Sequence, residues 1–69
     1  IEFALPSSGQ VSLAIYNTQG QLVETLLNQN LTAGVHTVRW EAGNLPSGVY
    51  FYRIETAKFT QTKKLMLLK

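Results

Sequence analysis

Residues 11–20, with the sequence VSLAIYNTQG, decide the fold class. Apolar Val11, Leu13 and Ile15 alternate with smaller or polar residues, which is the period of a strand with one buried face. Residues 17–20 then supply turn chemistry, because the glycine that ends them adopts a positive φ without steric cost. A strand that runs into such a turn predicts a β-hairpin.

Similar alternation recurs along the rest of the chain, separated by turn residues. The segment that begins at Leu22 also fits a helical i, i+4 pattern, but it is short and residues 28–30 end it, so we predict a strand there. The other predicted strands are residues 1–5 before a turn at 6–9, a strand after Gly34 with His36, Val38 and Trp40 on one face, residues 49–55, and residues 59–68 after a tight turn at 56–58.

Six or seven short strands without a credible helix predict an all-β fold, a small immunoglobulin-like antiparallel β-sandwich. Tyr50 follows Pro46 and Gly48 at the start of a strand, where a tyrosine in such sandwiches often bonds its hydroxyl back to the upstream backbone. We expect Trp40 to be the central aromatic residue of the core. The apolar run 65–68 predicts a strand that is apolar on both sides, lying centrally or meeting a partner with one face.

Composition limits the functions that the chain can have. At 69 residues it is one domain, and without cysteine it has neither disulfides nor a thiolate metal site. Aspartate is also absent and the single histidine, His36, lies on an apolar-faced strand. We therefore expect no catalysis, no metal and no cofactor, and a structural role for His36.

The basic residues are concentrated at one end. The net charge is +2, and four of the six basic residues, Lys58, Lys63, Lys64 and Lys69, fall in the last twelve positions. This is too narrow a basic region to favour nucleic acid. Residues 63–69 place an apolar block between lysines, so we expect a core strand, a segment that another protein recognises, or both. We also expect the chain, which starts in mid-strand, to be the end of a larger protein.

Six motifs in order carry a resemblance that covers essentially the whole chain. They are Phe3-Ala4-Leu5-Pro6, Gly9-Gln10-Val11-Ser12-Leu13, Ile15-Tyr16-Asn17-Thr18-Gln19-Gly20, Ala33-Gly34-Val35-His36-Thr37-Val38-Arg39-Trp40, Leu45-Pro46-Ser47-Gly48-Val49-Tyr50 and Lys63-Lys64-Leu65-Met66-Leu67-Leu68-Lys69. Together they resemble the carboxy-terminal sorting domain, type A, of proteins exported by the type IX secretion system of Bacteroidetes-type bacteria.

The resemblance implies a function and its partners. Residues 1–69 would be a single non-catalytic sorting domain behind a secreted cargo domain, bound by the outer-membrane translocon and delivered through the periplasm to the cell surface or the medium. A sortase-like peptidase often removes such domains and attaches the cargo to the surface. The segment that precedes the first strand in the family, where cleavage occurs, lies outside this chain, so the resemblance leaves cleavage undecided.

The resemblance also assigns residues. It places the recognition elements at Gly48, Tyr50, Lys63, Lys64 and Lys69, and an early turn at Pro6 and Gly9. To the recognition set we add Leu65 and Leu67 of the apolar block, and to the turn elements Gly20 and Gly34.

The alternative to this interpretation is a binding or structural module. A carbohydrate-binding or structural immunoglobulin-like module could use exposed Tyr16, Phe51 or Tyr52 to stack on sugar rings. Exposed edge strands of a small sandwich also favour self-association.

Overall fold

The computed structural model describes residues 1–43 and 45–68, which form two antiparallel sheets. The strands are β1 (Glu2–Leu5), β2 (Gly9–Tyr16), β3 (Leu22–Leu31), β4 (Gly34–Thr37), β5 (Gly48–Thr56) and β6 (Thr60–Leu67). One sheet pairs β1 with β4, and the other has the order β3-β2-β5-β6. The prediction of an all-β antiparallel sandwich of six or seven strands is confirmed, with six strands in the part of the chain described.

The core lies between the two sheets and follows from the alternation along β1 and β2. Phe3 and Leu5 point inward from β1, and Val11 and Leu13 point inward from β2, while Ile54 joins them from β5. Leu13 is completely buried because β2 lies between β3 and β5 in its sheet. A polar residue at any of these positions would have no partner for its hydrogen bonds, which is why the pattern specifies the sandwich.

The turn between β2 and β3 has the predicted chemistry. The amide of Gly20 donates to the carbonyl oxygen of Asn17 at 3.1 Å, which closes a four-residue turn. The Asn17 side chain accepts hydrogen bonds from the amides of Gln19 at 2.9 Å and Gln21 at 3.0 Å. Gly20 has a φ of 81°, a conformation that costs a residue with a Cβ about 1–2 kcal/mol.

The segment after this turn is a strand, as predicted, but it does not end at residues 28–30. β3 continues to Leu31, and Asn28 and Asn30 are paired with Ser12 and Gln10 of β2. The Gln10 amide group donates to Oδ1 of Asn28 at 2.7 Å. Cross-strand pairing thus outweighs the weak strand preference of asparagine.

The expectation that Trp40 is the central core aromatic is wrong. Trp40 is half-buried and follows the end of β4, and its indole packs edge-on against Tyr50 with ring centroids 5.4 Å apart. The centre of the core is instead aliphatic, with Val11, Leu13 and Ile15 the largest fully buried side chains. The strand predicted to carry His36, Val38 and Trp40 is shorter than expected, because β4 ends at Thr37 and Val38 and Trp40 lie beyond it. All three residues are nevertheless half-buried, and the residues between them are exposed.

The final strand lies at an edge of the four-stranded sheet. β6 pairs only with β5 in the described part of the chain, so the alternative of a central position is wrong. Its pairing with β5 runs from Glu55–Thr60 to Gly48–Leu67 without a register shift. Burial on both faces of the strand therefore does not explain why residues 65–67 of β6 are apolar.

Candidate functional site

The terminal strand β6 is held in place by a tight turn. The amide of Thr56 donates to the carbonyl oxygen of Phe59 at 2.8 Å. The Thr56 hydroxyl oxygen accepts hydrogen bonds from the amides of Lys58 and Phe59, both at 3.1 Å. These bonds connect β5 and β6 at the predicted turn and fix which residues of the two strands lie opposite each other.

Lys63 and Lys64 occupy the middle of β6, and both are exposed. Lys63 is the partner of Tyr52 and Lys64 is the partner of Phe51, so the two ammonium groups project from opposite faces of the sheet. Among the described residues the ion pairs are Arg39–Glu41 at 3.4 Å and Arg53–Glu55 at 2.9 Å, and neither lysine takes part in them.

The apolar residues that follow the lysines are only partly covered. Leu65 and Leu67, on the face toward the core, are half-buried because the sheet opposite has only two strands. Met66 is 61% exposed on the other face, and Leu68 is 81% exposed. Exposed large apolar side chains beside unpaired charges are typical of a surface that binds another protein. Lys69, the last residue of the predicted recognition set, lies outside the described residues.

Gly48 and Tyr50 lie beside this strand, as the partners of Leu67 and Leu65. Tyr50 is only 6% exposed, and its hydroxyl donates to the carbonyl oxygen of Pro46 at 2.8 Å. The predicted bond from this tyrosine to the upstream backbone is thus confirmed. Its side chain is not available for direct contact with another protein, so any role in recognition must be indirect.

Three of the predicted turn elements lie near the β5–β6 hairpin: Pro6 and Gly9 line a small pocket with residues 56–59 of its turn, and Gly20 lines an open depression beside Phe51 and Arg53. Pro6 follows β1, Gly9 begins β2, Gly20 closes the turn after β2, and Gly34 begins β4. The structure therefore places the predicted recognition residues of β5 and β6 opposite each other, and it brings Pro6, Gly9 and Gly20 near the same hairpin.

A second feature, a row of partly exposed side chains, lies on the outer face of the four-stranded sheet. Leu22, Tyr16, Phe51 and Lys64 are successive register partners and form one row across the four strands. Tyr16 and Phe51 line an open depression together with Arg53. Tyr52, the third predicted stacking residue, belongs to the opposite face and packs against the core. Sequence reasoning did not find this row, because it depends on the order of the strands in the sheet.

The His36 side chain packs and hydrogen-bonds within the domain. Its ring stacks on Phe3 with centroids 5.7 Å apart, and Nε2 lies 2.7 Å from the carbonyl oxygen of Thr32. Since a carbonyl oxygen only accepts hydrogen bonds, Nε2 must carry the proton.

No group of three His, Cys, Asp or Glu residues in the described ranges could hold a metal ion. Within the same ranges, no helix is long and apolar enough to span a membrane.

Comparison with known proteins identifies one family. The family model of the secretion system C-terminal sorting domain matches residues 1–68 of the chain. No curated protein and no solved structure gives a significant match. The family match covers the whole described structure and confirms the resemblance seen in the sequence motifs. No match supports the alternative of a carbohydrate-binding or structural module.

Proposed function

The chain belongs to the family of type IX secretion C-terminal sorting domains, and from this premise we propose that β6 is the surface that the secretion machinery recognises. As a sorting signal, the domain directs export across the outer membrane to the cell surface or the medium, which requires interaction with the type IX machinery. In our proposal this interaction is made by Lys63, Lys64, Leu65 and Leu67. Lys69, which lies outside the described residues, stays a predicted member of the set.

The observation that supports this proposal is the combination of charge and apolar surface on one edge strand. Lys63 and Lys64 make no ion pair within the described residues, and Met66 beside them is 61% exposed. A partner with acidic and apolar groups would gain charge-assisted contacts and bury apolar surface at the same time. The lysines also protect the open edge from non-specific pairing when no partner is present.

Gly48 and Tyr50 act on recognition indirectly in this proposal. Tyr50 lies opposite Leu65, and its ring is fixed by the bond to Pro46 and by the packing against Trp40. A rigid β5 holds β6 in one register, so that the lysines and leucines of β6 are presented in fixed positions. Gly48, opposite Leu67, begins the strand that provides this support.

We further propose that residues 1–69 form a single domain at the carboxy end of a secreted cargo protein, which family membership supports. A sortase-like peptidase is a further partner in this proposal, and it would act on the segment that precedes the first strand. The domain then needs no catalytic activity of its own, since it acts by being bound. The structural environment of His36 is consistent with this, because its Nε2 already bonds to the Thr32 carbonyl oxygen.

Export of a reporter tests the role of the two lysines. Residues 1–69 are fused to the carboxy end of a secreted reporter in a bacterium that has a type IX system. The double variant Lys63→Gln, Lys64→Gln should leave the reporter in the periplasm and lower its export by about tenfold or more, because each charge-assisted contact contributes about 1.5–3 kcal/mol.

Lys58→Gln is the matched control, since Lys58 is an exposed lysine in the turn before β6. The reporter fused to this variant should be exported normally. Both purified variants should have the unfolding temperature of the parent chain. Normal export of the Lys63/Lys64 double variant would show that β6 is not recognised through its lysines.

A further inference from the structure

We propose that the secretion machinery binds this domain by adding an extended strand to the open edge of β6, and that this strand carries acidic side chains opposite Lys63 and Lys64. The inference rests on the proposed function, in which β6 is the recognised surface. It adds the mode of binding, which is main-chain pairing, and the chemistry of the partner.

The hydrogen-bond pattern of the hairpin shows which backbone groups of β6 are free to pair. The bond from the Thr56 amide to the Phe59 carbonyl makes these two residues a hydrogen-bonded pair. Opposite residues in an antiparallel ladder alternate between bonded and non-bonded pairs. The residues of β6 that bond to β5 are therefore Gln61, Lys63, Leu65 and Leu67, and those whose amide and carbonyl groups point to the open edge are Thr60, Thr62, Lys64 and Met66.

β6 is the most regular open edge of the described structure. It is eight residues long, and its ladder with β5 has no register shift. The opposite edge strand, β3, is interrupted at two positions, next to Leu13/Ala14 and next to Ile15/Tyr16 of its partner. Such irregularities twist an edge and hinder further pairing. β1 and β4 are only four residues long.

The side chains of β6 define what an added strand must carry. Lys63 and Lys64 project from the two faces of the strand and have no carboxylate partner among the described residues. Residues directly opposite each other in a sheet are close enough to interact, and opposite charges stabilise the pair. An added strand with acidic residues at these positions and apolar residues opposite 65–67 would match β6 along its length.

A second copy of this chain is a poorer partner for the same edge. A two-fold axis relating two antiparallel β6 strands keeps equivalent faces on the same side of the sheet. With this symmetry, one residue of β6 lies directly opposite the same residue of the other copy. In the two registers with the greatest overlap of the two strands, that residue is either Lys63 or Lys64. Like charges in these positions repel each other. The edge thus favours an acidic partner over self-association.

Replacing single backbone amides with esters tests the main-chain pairing. An ester at Lys64 or Met66 removes an N–H group that points to the open edge and keeps both side chains. An ester at Asn28 is the matched control, since its N–H group points outward from the opposite edge strand β3. Each 69-residue chain is made by chemical synthesis, and its unfolding temperature is measured first, because an ester also weakens the preceding carbonyl as an acceptor.

Binding is measured by competition with a fluorescent wild-type chain for detergent-solubilised outer membrane from a bacterium with a type IX system. Membrane from a strain that lacks the system is the blank. We expect each ester in β6 to weaken binding by about 2- to 12-fold, which corresponds to one lost hydrogen bond, and the Asn28 ester to bind within about twofold of wild type.

The outcomes separate this inference from the proposed function. Unchanged binding of the β6 esters, together with weak binding of the Lys63→Gln, Lys64→Gln variant, overturns strand addition and leaves lysine recognition intact. Equal losses from the esters in β6 and at Asn28 also overturn strand addition. If the wild-type chain shows no specific binding, both proposals fail. Self-association that is weakened by the β6 esters, measured by sedimentation without membrane, overturns the choice of an acidic partner.

Discussion

Replacing Tyr50 with phenylalanine removes one hydroxyl group and, with it, the 2.8 Å hydrogen bond to the carbonyl oxygen of Pro46. The ring stays in place, because its contact with Trp40 and its burial do not depend on the hydroxyl. A hydrogen bond of this kind contributes about 0.5–1.5 kcal/mol to the free energy of unfolding. The variant therefore isolates the bond that fixes the start of β5.

The expected change in unfolding temperature follows from the size of the domain. An unfolding entropy of about 2.1 cal/mol/K per residue gives roughly 145 cal/mol/K for this chain. A loss of 1 kcal/mol then lowers the unfolding temperature by about 7 °C, and the range above corresponds to about 3–10 °C. For a domain of this length the total free energy of unfolding is only about 3–10 kcal/mol, so one bond is a substantial fraction of it.

Tyr52→Phe is the matched control for this experiment. Tyr52 lies two residues further along β5 on the same face, and it is half-buried. Its hydroxyl makes no hydrogen bond within the described residues, so its removal should shift the unfolding temperature by less than about 3 °C. Thermal unfolding followed by circular dichroism measures both variants. Equal shifts for Tyr50→Phe and Tyr52→Phe would show that the bond to Pro46 contributes nothing specific.

Two further substitutions test the core and the turn before β6. Leu13→Ala should lower the free energy of unfolding by about 2–5 kcal/mol, because Leu13 is completely buried. Leu68→Ala is the control, since Leu68 is 81% exposed and its replacement should change this free energy by less than about 0.5 kcal/mol. Urea denaturation measures both variants, and similar effects would contradict the assigned core. Thr56→Val removes the hydroxyl that accepts hydrogen bonds from the amides of Lys58 and Phe59, and it should destabilise the β5–β6 hairpin by about 1 kcal/mol. Thr56→Ser keeps the hydroxyl and should not destabilise the hairpin. Hydrogen exchange of the β6 amides should therefore be faster in the valine variant alone, and equal exchange in both variants would count against this role of Thr56.

The features that could be predicted from the sequence are those that depend on neighbouring residues. The alternation of Val11, Leu13 and Ile15 defines a half-buried strand wherever that strand lies in the sheet. The bond from Tyr50 to Pro46 spans four residues and needs only the local path of the chain. Both predictions are confirmed, because local chemistry and tertiary packing agree there.

The features that could not be predicted depend on which strands are neighbours. The extension of β3 through Asn28 and Asn30 is stabilised by Ser12 and Gln10 of β2, which are 16 and 20 positions away in the sequence. The edge position of β6 follows from the order of four strands, which the pattern of residues 65–68 does not contain. The predicted recognition residues stay predictions, and the structure adds where each one lies and whether it is exposed.

The position of β6 has a consequence for the timing of recognition. The outward row of amide and carbonyl groups at Thr60, Thr62, Lys64 and Met66 exists only when β5 holds β6 in register. An unfolded chain has the same side chains but no such row. A machinery that pairs with this edge would therefore bind the folded domain and discriminate against the unfolded one.

Because the domain is small, this discrimination is sensitive to stability. The loss of about 2–5 kcal/mol expected for Leu13→Ala can unfold a domain at the lower end of the range of stabilities given above. Export of a Leu13→Ala fusion should then fall in proportion to its unfolded fraction, although no residue of β6 has changed. Normal export of this variant at a temperature where the isolated domain is unfolded would show that the machinery recognises the sequence of β6 and not its folded edge.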